Sequence, residues 1–200
     1  MIHAGFVIEN PITQSRTIVV ESDAETKGMG WLLEVHCVPN AGPDIAEHWH
    51  ETWTEHFEII QGTAYYKLDS VQKTAQTGES FVVLPRQQHV HPWNAGEQEL
   101  VYRQKNNFGQ SEPAAVQDVL GVFATVAGLA RLGKIDKRGL PKNPLQLAAT
   151  LKTLNQYGGY DAALPLPAQR FLSRTLGRLA NALGYRGVYP QFVNQFVNNV

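Results

Sequence analysis

Two histidines and a glutamate lie close together in the first half of the chain, and their types and spacing suit metal binding. His48 and His50 are two residues apart, and Glu55 follows five residues later. In an extended strand, residues two apart point to the same face, so both imidazoles would face one space. A short turn after His50 can bring Glu55 back to that space. Two histidines and a carboxylate suit a divalent transition metal such as Fe, Mn, Ni, Cu or Zn, and the alternative is a polar surface loop.

The same stretch resembles the first motif of the cupin family. That motif reads Gly, five residues, His-x-His, three or four residues, Glu, six residues, Gly. The chain has these positions without a gap at Gly42, His48, His50, Glu55 and Gly62. Five positions at fixed spacing make a specific match. The resemblance implies a mainly β fold, a double-stranded β-helix or jelly-roll barrel, with a metal held by these three side chains.

The second cupin motif supplies a further histidine from a neighbouring strand, and residues 78–96 are the candidate. The motif reads Gly, five residues, Pro-x-Gly, two residues, His, three residues, Asn. Here Pro85 follows Gly78 after six residues, and Gln87 stands in place of the glycine after the proline. The match is therefore looser than that of the first motif.

Two ways of counting the second motif disagree by one residue. Counting from Gly78 reaches His89, whereas counting back from Asn94 reaches Val90. We take His89 as the fourth metal ligand, beside the three of the first motif. His91 has the same parity in an extended strand, so it would face the same cavity and could replace His89 or act as a base.

Residues 1–110 are predicted to form the barrel as one β domain. Apolar and β-branched segments alternate with turns, and no helical period is present. The polar stretches 22–30 and 69–76 are predicted loops. The predicted strands are 2–12, 16–21, 31–38, 63–68, 81–84, 89–94 and 100–105. At least seven short strands favour a sandwich or a closed barrel.

Residues 111–200 are predicted to form a separate α-helical appendage of about three helices. The spacing of apolar residues and the Pro and Gly signals predict helices at about 113–132, 144–157 and 167–183. The first is apolar almost all round, so we expect it to be buried. The third has a cationic stripe of Arg170, Arg174 and Arg178, with Phe171, Leu172, Leu176, Leu179 and Leu183 as its apolar side.

The composition indicates a globular protein with a core, because 43% of the 200 residues are hydrophobic and 18% are charged. The net charge of −1 divides unevenly, since residues 1–110 carry −7 and residues 111–200 carry +6. The two parts can attract each other, and the alternative is a basic region for an anionic partner. No helix-turn-helix or zinc-finger pattern accompanies the basic residues, so we expect no nucleic-acid partner.

We expect a cytoplasmic protein. Cys37 is the single cysteine, so an intramolecular disulfide is excluded, and its place in a predicted strand indicates packing. The first residues lack the basic and apolar regions of a signal peptide. The longest uncharged apolar run, 119–130, is 12 residues long and too short to span a bilayer. The basic helices leave a membrane surface as a weaker expectation.

Three neutral histidines and one glutamate would leave open positions on a metal ion, which distinguishes a catalytic metal from a structural one. The resemblance to cupins implies a range of activities, from dioxygenases, isomerases, decarboxylases and cyclases to non-catalytic binders. We expect a dioxygenase-like oxidoreductase for a small, largely apolar substrate. A metal-dependent isomerase or cyclase is the alternative, and so is a non-catalytic metal or small-ligand binding module. Pairing of barrels through their sheets would give a homodimer.

Overall fold

The computed structural model describes residues 1–136 and 139–194, and its strands come almost entirely before its long helices. The strands are β1 (Val7–Asn10), β2 (Ser15–Glu21), β3 (Gly30–Cys37), β4 (His48–His50), β5 (Thr54–Gln61), β6 (Thr63–Leu68), β7 (Val71–Gln76), β8 (Ser80–Val83), β9 (His89–Trp93), β10 (Leu100–Asn107) and β11 (Gly159–Asp161). The helices are α1 (Asp23–Thr26), α2 (Pro113–Arg131), α3 (Pro144–Gln156), α4 (Leu166–Arg174), α5 (Leu176–Ala182) and α6 (Pro190–Val193).

Two antiparallel sheets make the walls of the barrel. One has the strand order β1-β2-β3-β10-β5-β8 and the other has β11-β4-β9-β6-β7. Strands distant in sequence are neighbours, as β3 and β10 are, which is typical of a jelly roll. The predicted fold class, a mainly β double-stranded β-helix followed by helices, is confirmed.

The alternation of side chains in β3 explains how the barrel interior forms. Trp31, Leu33, Val35 and Cys37 point inward, and none is more than 4% exposed. Burial of such side chains contributes about 1.5–3 kcal/mol each for the large ones. On the neighbouring β10, Tyr102 and polar side chains point to the same interior. The core therefore contains a polar region among apolar residues.

The predicted loop 69–76 is wrong, because β7 occupies most of it. β7 pairs with β6 along its whole length, from Thr63 opposite Gln76 to Leu68 opposite Val71. The two residues of the connecting turn, Asp69 and Ser70, have φ of 49° and 64°, as a tight hairpin requires. Only Ala75 of β7 is buried. The other side chains are exposed to solvent and mostly polar, which is why the sequence of this strand resembles that of a loop. The predicted loop 22–30 likewise contains α1, which a capping box opens.

The predicted third helix is two helices, α4 and α5, which meet at Thr175. The Thr175 hydroxyl donates to the carbonyl of Phe171 at 2.9 Å, a bond that competes with regular helix geometry. The predicted apolar side is largely exposed, with Phe171 at 66% and Leu183 at 60%. The buried residues of α5 are the small ones, Gly177 and Ala180. The helix packs closely on α3 there, since a Cβ on Gly177 would lie 2.9 Å from the Cβ of Lys152. The last six residues of the predicted appendage, 195–200, lie outside the described residues.

Residues after 111 also contribute to the barrel. β11 adds a strand to the five-stranded sheet, pairing with β4 so that Gly159 lies opposite His50 and Asp161 opposite His48. The domain boundary at residue 110 stays a prediction.

Helix α2 is long and apolar enough to cross a membrane, with a mean hydropathy of 1.5 in its most apolar window. This is weak evidence for a span, because 61% of that window is buried within the protein and a core helix has the same composition.

Candidate metal centre

One acidic and three histidine side chains from three strands meet inside the barrel. β4 contributes His48, β5 contributes Glu55, and β9 contributes His89 and His91. One potential ligand atom from each lies within 4.8 Å of all the others. The two sheets both take part, since Glu55 belongs to the six-stranded sheet and the histidines to the five-stranded one. A His-His-His-Glu cluster of this kind could bind a metal ion.

The Oε2 atom of Glu55 is the point at which the cluster converges. It lies 3.0 Å from Nε2 of His89 and 3.3 Å from Nε2 of His91. All three atoms are buried, and apart from one another they have no hydrogen-bond partner among the described residues. Ligand atoms at about 2.0–2.2 Å from one ion stand about 3–4 Å apart, which these distances match. Buried polar atoms are rarely left without a partner, so the residues present fit a metal.

Hydrogen bonds on the far side of His48, His89 and Glu55 hold their potential metal-binding atoms in place. Nδ1 of His48 is 2.9 Å from the carbonyl of Ala46, and Nδ1 of His89 is 3.0 Å from the carbonyl of Gln87. If each Nδ1 carries the proton, Nε2 presents its lone pair to the cluster. The amide of Gln104 donates to Oε1 of Glu55 at 2.8 Å, which leaves Oε2 free.

His50 lies beside this group and slightly outside it. Its Nδ1 atom is 4.0 Å from Oε2 of Glu55. Its ring stacks on Trp53, with centroids 4.2 Å apart and an angle of 20° between the planes. The structure therefore brings all five candidate residues of the two motifs together, and it places His91 closer to the shared point than His50.

The one-residue disagreement in the second motif has a structural cause. Between Tyr65 and Lys67 of β6 there are two steps, but their partners on β9, Trp93 and Val90, are three steps apart. β9 therefore has a bulge with one extra residue, next to Pro92, which has no N–H for the ladder. The bulge lies between Val90 and Trp93, within the stretch from His89 to Asn94 over which the two counts differ.

The missing glycine of the second motif also has a structural counterpart. The glycine position counted from Gly78 is Arg86, and its φ of 67° lies in the left-handed region that favours glycine. The N–H of Gln87 donates to the carbonyl of Leu84 at 3.1 Å, which closes a tight turn. The N–H of Arg86 donates to the carbonyl of His50 at 2.6 Å. Counted from Pro85 the glycine position is Gln87, whereas the residue with the left-handed backbone is Arg86.

Burial and mutual repulsion keep two of the histidines neutral. Burial lowers the pKa of His50 to about 3, and burial with the neighbouring His89, His91 and His50 holds the pKa of His48 well below its ordinary value. Neutral imidazole is the form that binds metal.

The charged side of the cluster is the pair of Glu55 and His89. Burial alone would raise the pKa of Glu55, but His50, His91 and the close contact with His89 hold it well below its ordinary value. Burial would lower the pKa of His89, but contact with Glu55 outweighs it and raises that pKa. A metal ion bound here would take the place of the His89 proton.

The helical part of the chain is fastened directly to this centre. The indole N–H of Trp53 donates to the carbonyl of Tyr157 at 2.7 Å, and the Tyr157 hydroxyl donates to Asp118 of α2 at 2.6 Å. On the other side of β4, Arg170 of α4 contacts Glu51 at 3.2 Å. The sequence offered no signal for these contacts, since they join residues more than 35 positions apart.

A cavity of about 190 Å³ opens from the metal centre between the barrel and the helices. Its barrel side includes His48, His50, Glu55, His91, Tyr102 and Gln104. Its helical side includes Val119, Val122, Phe123, Val126 and Ala127 of α2 and Leu147, Thr150, Leu151 and Leu154 of α3. The cluster thus faces a cavity with a mainly apolar wall.

Two neighbouring residues of β3, His36 and Cys37, lie away from the cavity. His36 points to the outside of the barrel, where its ring nitrogens are 3.3 Å from Glu34 and 3.4 Å from Glu99. Cys37 faces the core, and burial, with Asp44 and Glu99, raises the pKa of its thiol to about 12. It packs and does not act as a nucleophile.

The comparison with protein families agrees with the two motifs. Residues 35–102 match the Cupin_2 model, whose description is "Cupin domain". The chain therefore carries a cupin domain, and the resemblance seen in its sequence is confirmed over that stretch. No curated protein matches the chain.

Several solved structures are similar to part of the chain. One is a conserved protein with a double-stranded β-helix domain from Klebsiella pneumoniae, with 18% identity, a TM-score of 0.41, and coverage of 56% of this chain and 85% of that one. Another is a predicted oxalate decarboxylase from Thermotoga maritima, with 15% identity, a TM-score of 0.44, and coverage of 54% and 98%. A third is the Cupin_2 domain of an XRE family transcriptional regulator from Enterobacter cloacae, with 13% identity, a TM-score of 0.41, and coverage of 48% and 98%.

Proposed function

We propose that this protein is a mononuclear metalloenzyme of the dioxygenase type that acts on a small, largely apolar organic substrate. One observation carries the proposal: buried atoms of Glu55, His89 and His91, which have no hydrogen-bond partner outside their own cluster, converge beside a mainly apolar cavity. A structural metal would need no such cavity, whereas a catalytic one needs space for a substrate next to it.

Four side chains would hold the metal: His48, Glu55, His89 and His91, with His50 adjacent and able to exchange roles with His91. A bound redox-active divalent metal such as Fe would supply activation of dioxygen and polarisation of a substrate oxygen. Both oxygen atoms enter the product in a dioxygenation, so no external reductant is required.

The protein's own residues orient the substrate and exclude water. The helical wall presents Phe123, Leu151 and Leu154 to the cavity, and these side chains cannot hydrogen-bond water. A substrate would therefore place its apolar part against α2 and α3 and its oxygen toward the histidines. Exclusion of water also strengthens the electrostatic interactions at the metal centre.

The test begins with protein stripped by a chelator and reloaded separately with Fe, Mn, Ni, Cu or Zn. Each form is mixed with a panel of small phenols and enols while dissolved oxygen is monitored. We expect oxygen uptake with at least one redox-active metal and incorporation of both atoms of isotopically labelled dioxygen into the product. Conversion of a substrate without oxygen uptake would identify an isomerase or cyclase instead. Binding without conversion for every metal and compound would identify a non-catalytic binding module.

A further inference from the structure

Tyr102 presents an unpartnered hydroxyl group in the wall of the cavity. The residue lies on β10 in the centre of the six-stranded sheet and is only 3% exposed. It lines the cavity together with the residues of the metal centre. No hydrogen bond to its hydroxyl is formed by any residue in the described part of the chain, 1–136 and 139–194. A phenol in a cavity wall normally finds a hydrogen-bond partner, and for this hydroxyl a molecule in the cavity can supply one.

The position of Tyr102 on β10 relates it to the metal centre. Gln104, two residues along the same strand, points to the same interior and donates to Glu55. Two residues of a strand span about 6.7 Å, which is close to the length of a tyrosine side chain. Tyr102 is therefore the next inward-facing side chain beyond the one that positions the metal-binding carboxylate.

The residues directly opposite Tyr102 on the two neighbouring strands offer its hydroxyl no side-chain acceptor. Its neighbours across the sheet are Val35 on β3 and Ile59 on β5, and both are apolar and buried. Burial, followed by the charges near Cys37, Asp44 and Glu55, raises the pKa of Tyr102 well above its ordinary value. The hydroxyl stays neutral and keeps its proton, so it is a donor.

We propose that Tyr102 positions the substrate by donating a hydrogen bond to an oxygen atom of a small, mainly apolar compound bound beside the metal centre. The compound belongs to the carbonyls, enols and phenols, because their oxygens accept such a bond while the rest of the molecule packs against α2 and α3. The inference rests on the proposed function and adds the residue that selects for an oxygen-bearing substrate.

The test compares Tyr102→Phe, which removes only the hydroxyl, with the matched variant Tyr66→Phe. Tyr66 is also a buried barrel tyrosine, at 7% exposure, but it does not line the cavity. The probes are nitrocatechol, which offers oxygen atoms, and toluene, which offers none. Binding to metal-loaded protein is followed by the visible absorption of nitrocatechol and by saturation-transfer NMR for toluene. Metal content and thermal unfolding are measured for each variant.

We expect Tyr102→Phe to weaken the binding of nitrocatechol about 3- to 10-fold, as loss of one hydrogen bond from a buried donor does. Its metal content and its affinity for toluene should equal those of the wild type, and Tyr66→Phe should leave all three unchanged. A purely structural role for Tyr102 would weaken toluene binding as well.

Different failures overturn different parts of the proposal. Equal affinity of wild type and Tyr102→Phe for nitrocatechol would exclude the role of Tyr102 while leaving the proposed function standing. If metal-loaded wild type binds neither nitrocatechol nor toluene, both the role of Tyr102 and the proposed function are contradicted, because the cavity would then not accept a compound of the proposed class.

Discussion

The cavity has two walls of different construction. The barrel wall contains Glu55 and the histidines. Gln104 donates a hydrogen bond to Glu55, and the Ala46 carbonyl accepts one from His48, so these side chains are held in position. The helical wall is apolar on nearly its whole cavity face, from Val119 to Leu154. The barrel wall thus carries the groups that could bind a metal, and the helical wall presents an apolar surface to the same cavity. We therefore expect substitutions in the helical wall to alter ligand binding without altering metal affinity.

The largest effect should come from the carboxylate of the barrel wall. Glu55→Gln keeps the shape of the side chain but removes its charge and one metal-binding oxygen. We expect metal affinity to fall by at least about 100-fold, because loss of a ligand exceeds the 10–100-fold cost of losing an outer partner. Competition with a chelating dye measures the change. Glu58→Gln, an exposed carboxylate on the same strand, is the control. Equal affinity for the two variants would exclude Glu55 as a ligand.

The helical wall should respond in the opposite manner. Ala127→Phe places a large side chain where α2 lines the cavity, at a residue only 3% exposed. We expect nitrocatechol binding to fall about tenfold while metal content stays unchanged, with a stability cost of about 1–3 kcal/mol from overpacking. Leu132→Phe, exposed just beyond the end of α2, should leave both unchanged. Loss of metal from Ala127→Phe would show that the two walls are not independent.

The pH dependence of the chelator-treated protein tests the electrostatics of the barrel wall. Below the ordinary histidine pKa of 6.5, His48 and His50 bind protons in the unfolded chain but not in the folded protein. The free energy of unfolding therefore decreases as the pH falls below 6.5. The slope is up to about 1.4 kcal/mol per pH unit for each of the two. His89, whose pKa is raised, contributes stability at low pH and loses it as the pH rises through its folded pKa.

Stability of the chelator-treated protein should therefore be greatest near pH 6.5 as far as these histidines decide it. Urea unfolding at several pH values measures the profile. His50→Gln should reduce the slope on the acid side, whereas His56→Gln, an exposed histidine, should not. An unchanged acid slope in His50→Gln would contradict a neutral buried His50.

The smallest effect should come from the turn that replaces the glycine of the second motif. Arg86→Gly should stabilise the protein by up to about 1 kcal/mol, because glycine adopts the positive φ without strain. Arg86→Ala keeps a Cβ and should not give this gain. Thermal unfolding distinguishes the two variants, and equal stability would mean that the backbone at residue 86 is not strained.

The barrel wall was largely predictable from the sequence, and the helical wall was not. The first motif places its residues within one short stretch, where strand parity decides which side chains converge. His89 was taken as the fourth ligand and strand parity placed His91 toward the same cavity; the structure puts Nε2 of both histidines within 3.3 Å of Oε2 of Glu55. Strand β7 was missed because its side chains are polar, and β11 because three residues carry no alternation.

The cavity itself left no mark in the sequence. The sequence of an apolar helix face is the same whether the face covers a packed core or a binding cavity. The apolar residues of α2 therefore predicted only that the helix is buried. The contacts of Trp53 with Tyr157 and of Glu51 with Arg170 join distant positions, and no local pattern indicates them.

The metal content of the protein, purified without added metal, tests the central claim most directly. Wild type is compared with His48→Ala, His89→Ala and His91→Ala by elemental analysis, with His36→Ala outside the cluster as the control. We predict about one transition-metal ion per chain in the wild type and the control, and a large loss in the three cluster variants. A wild type without metal that also fails to take up Fe, Mn, Ni, Cu or Zn, or cluster variants that keep it, would contradict the account.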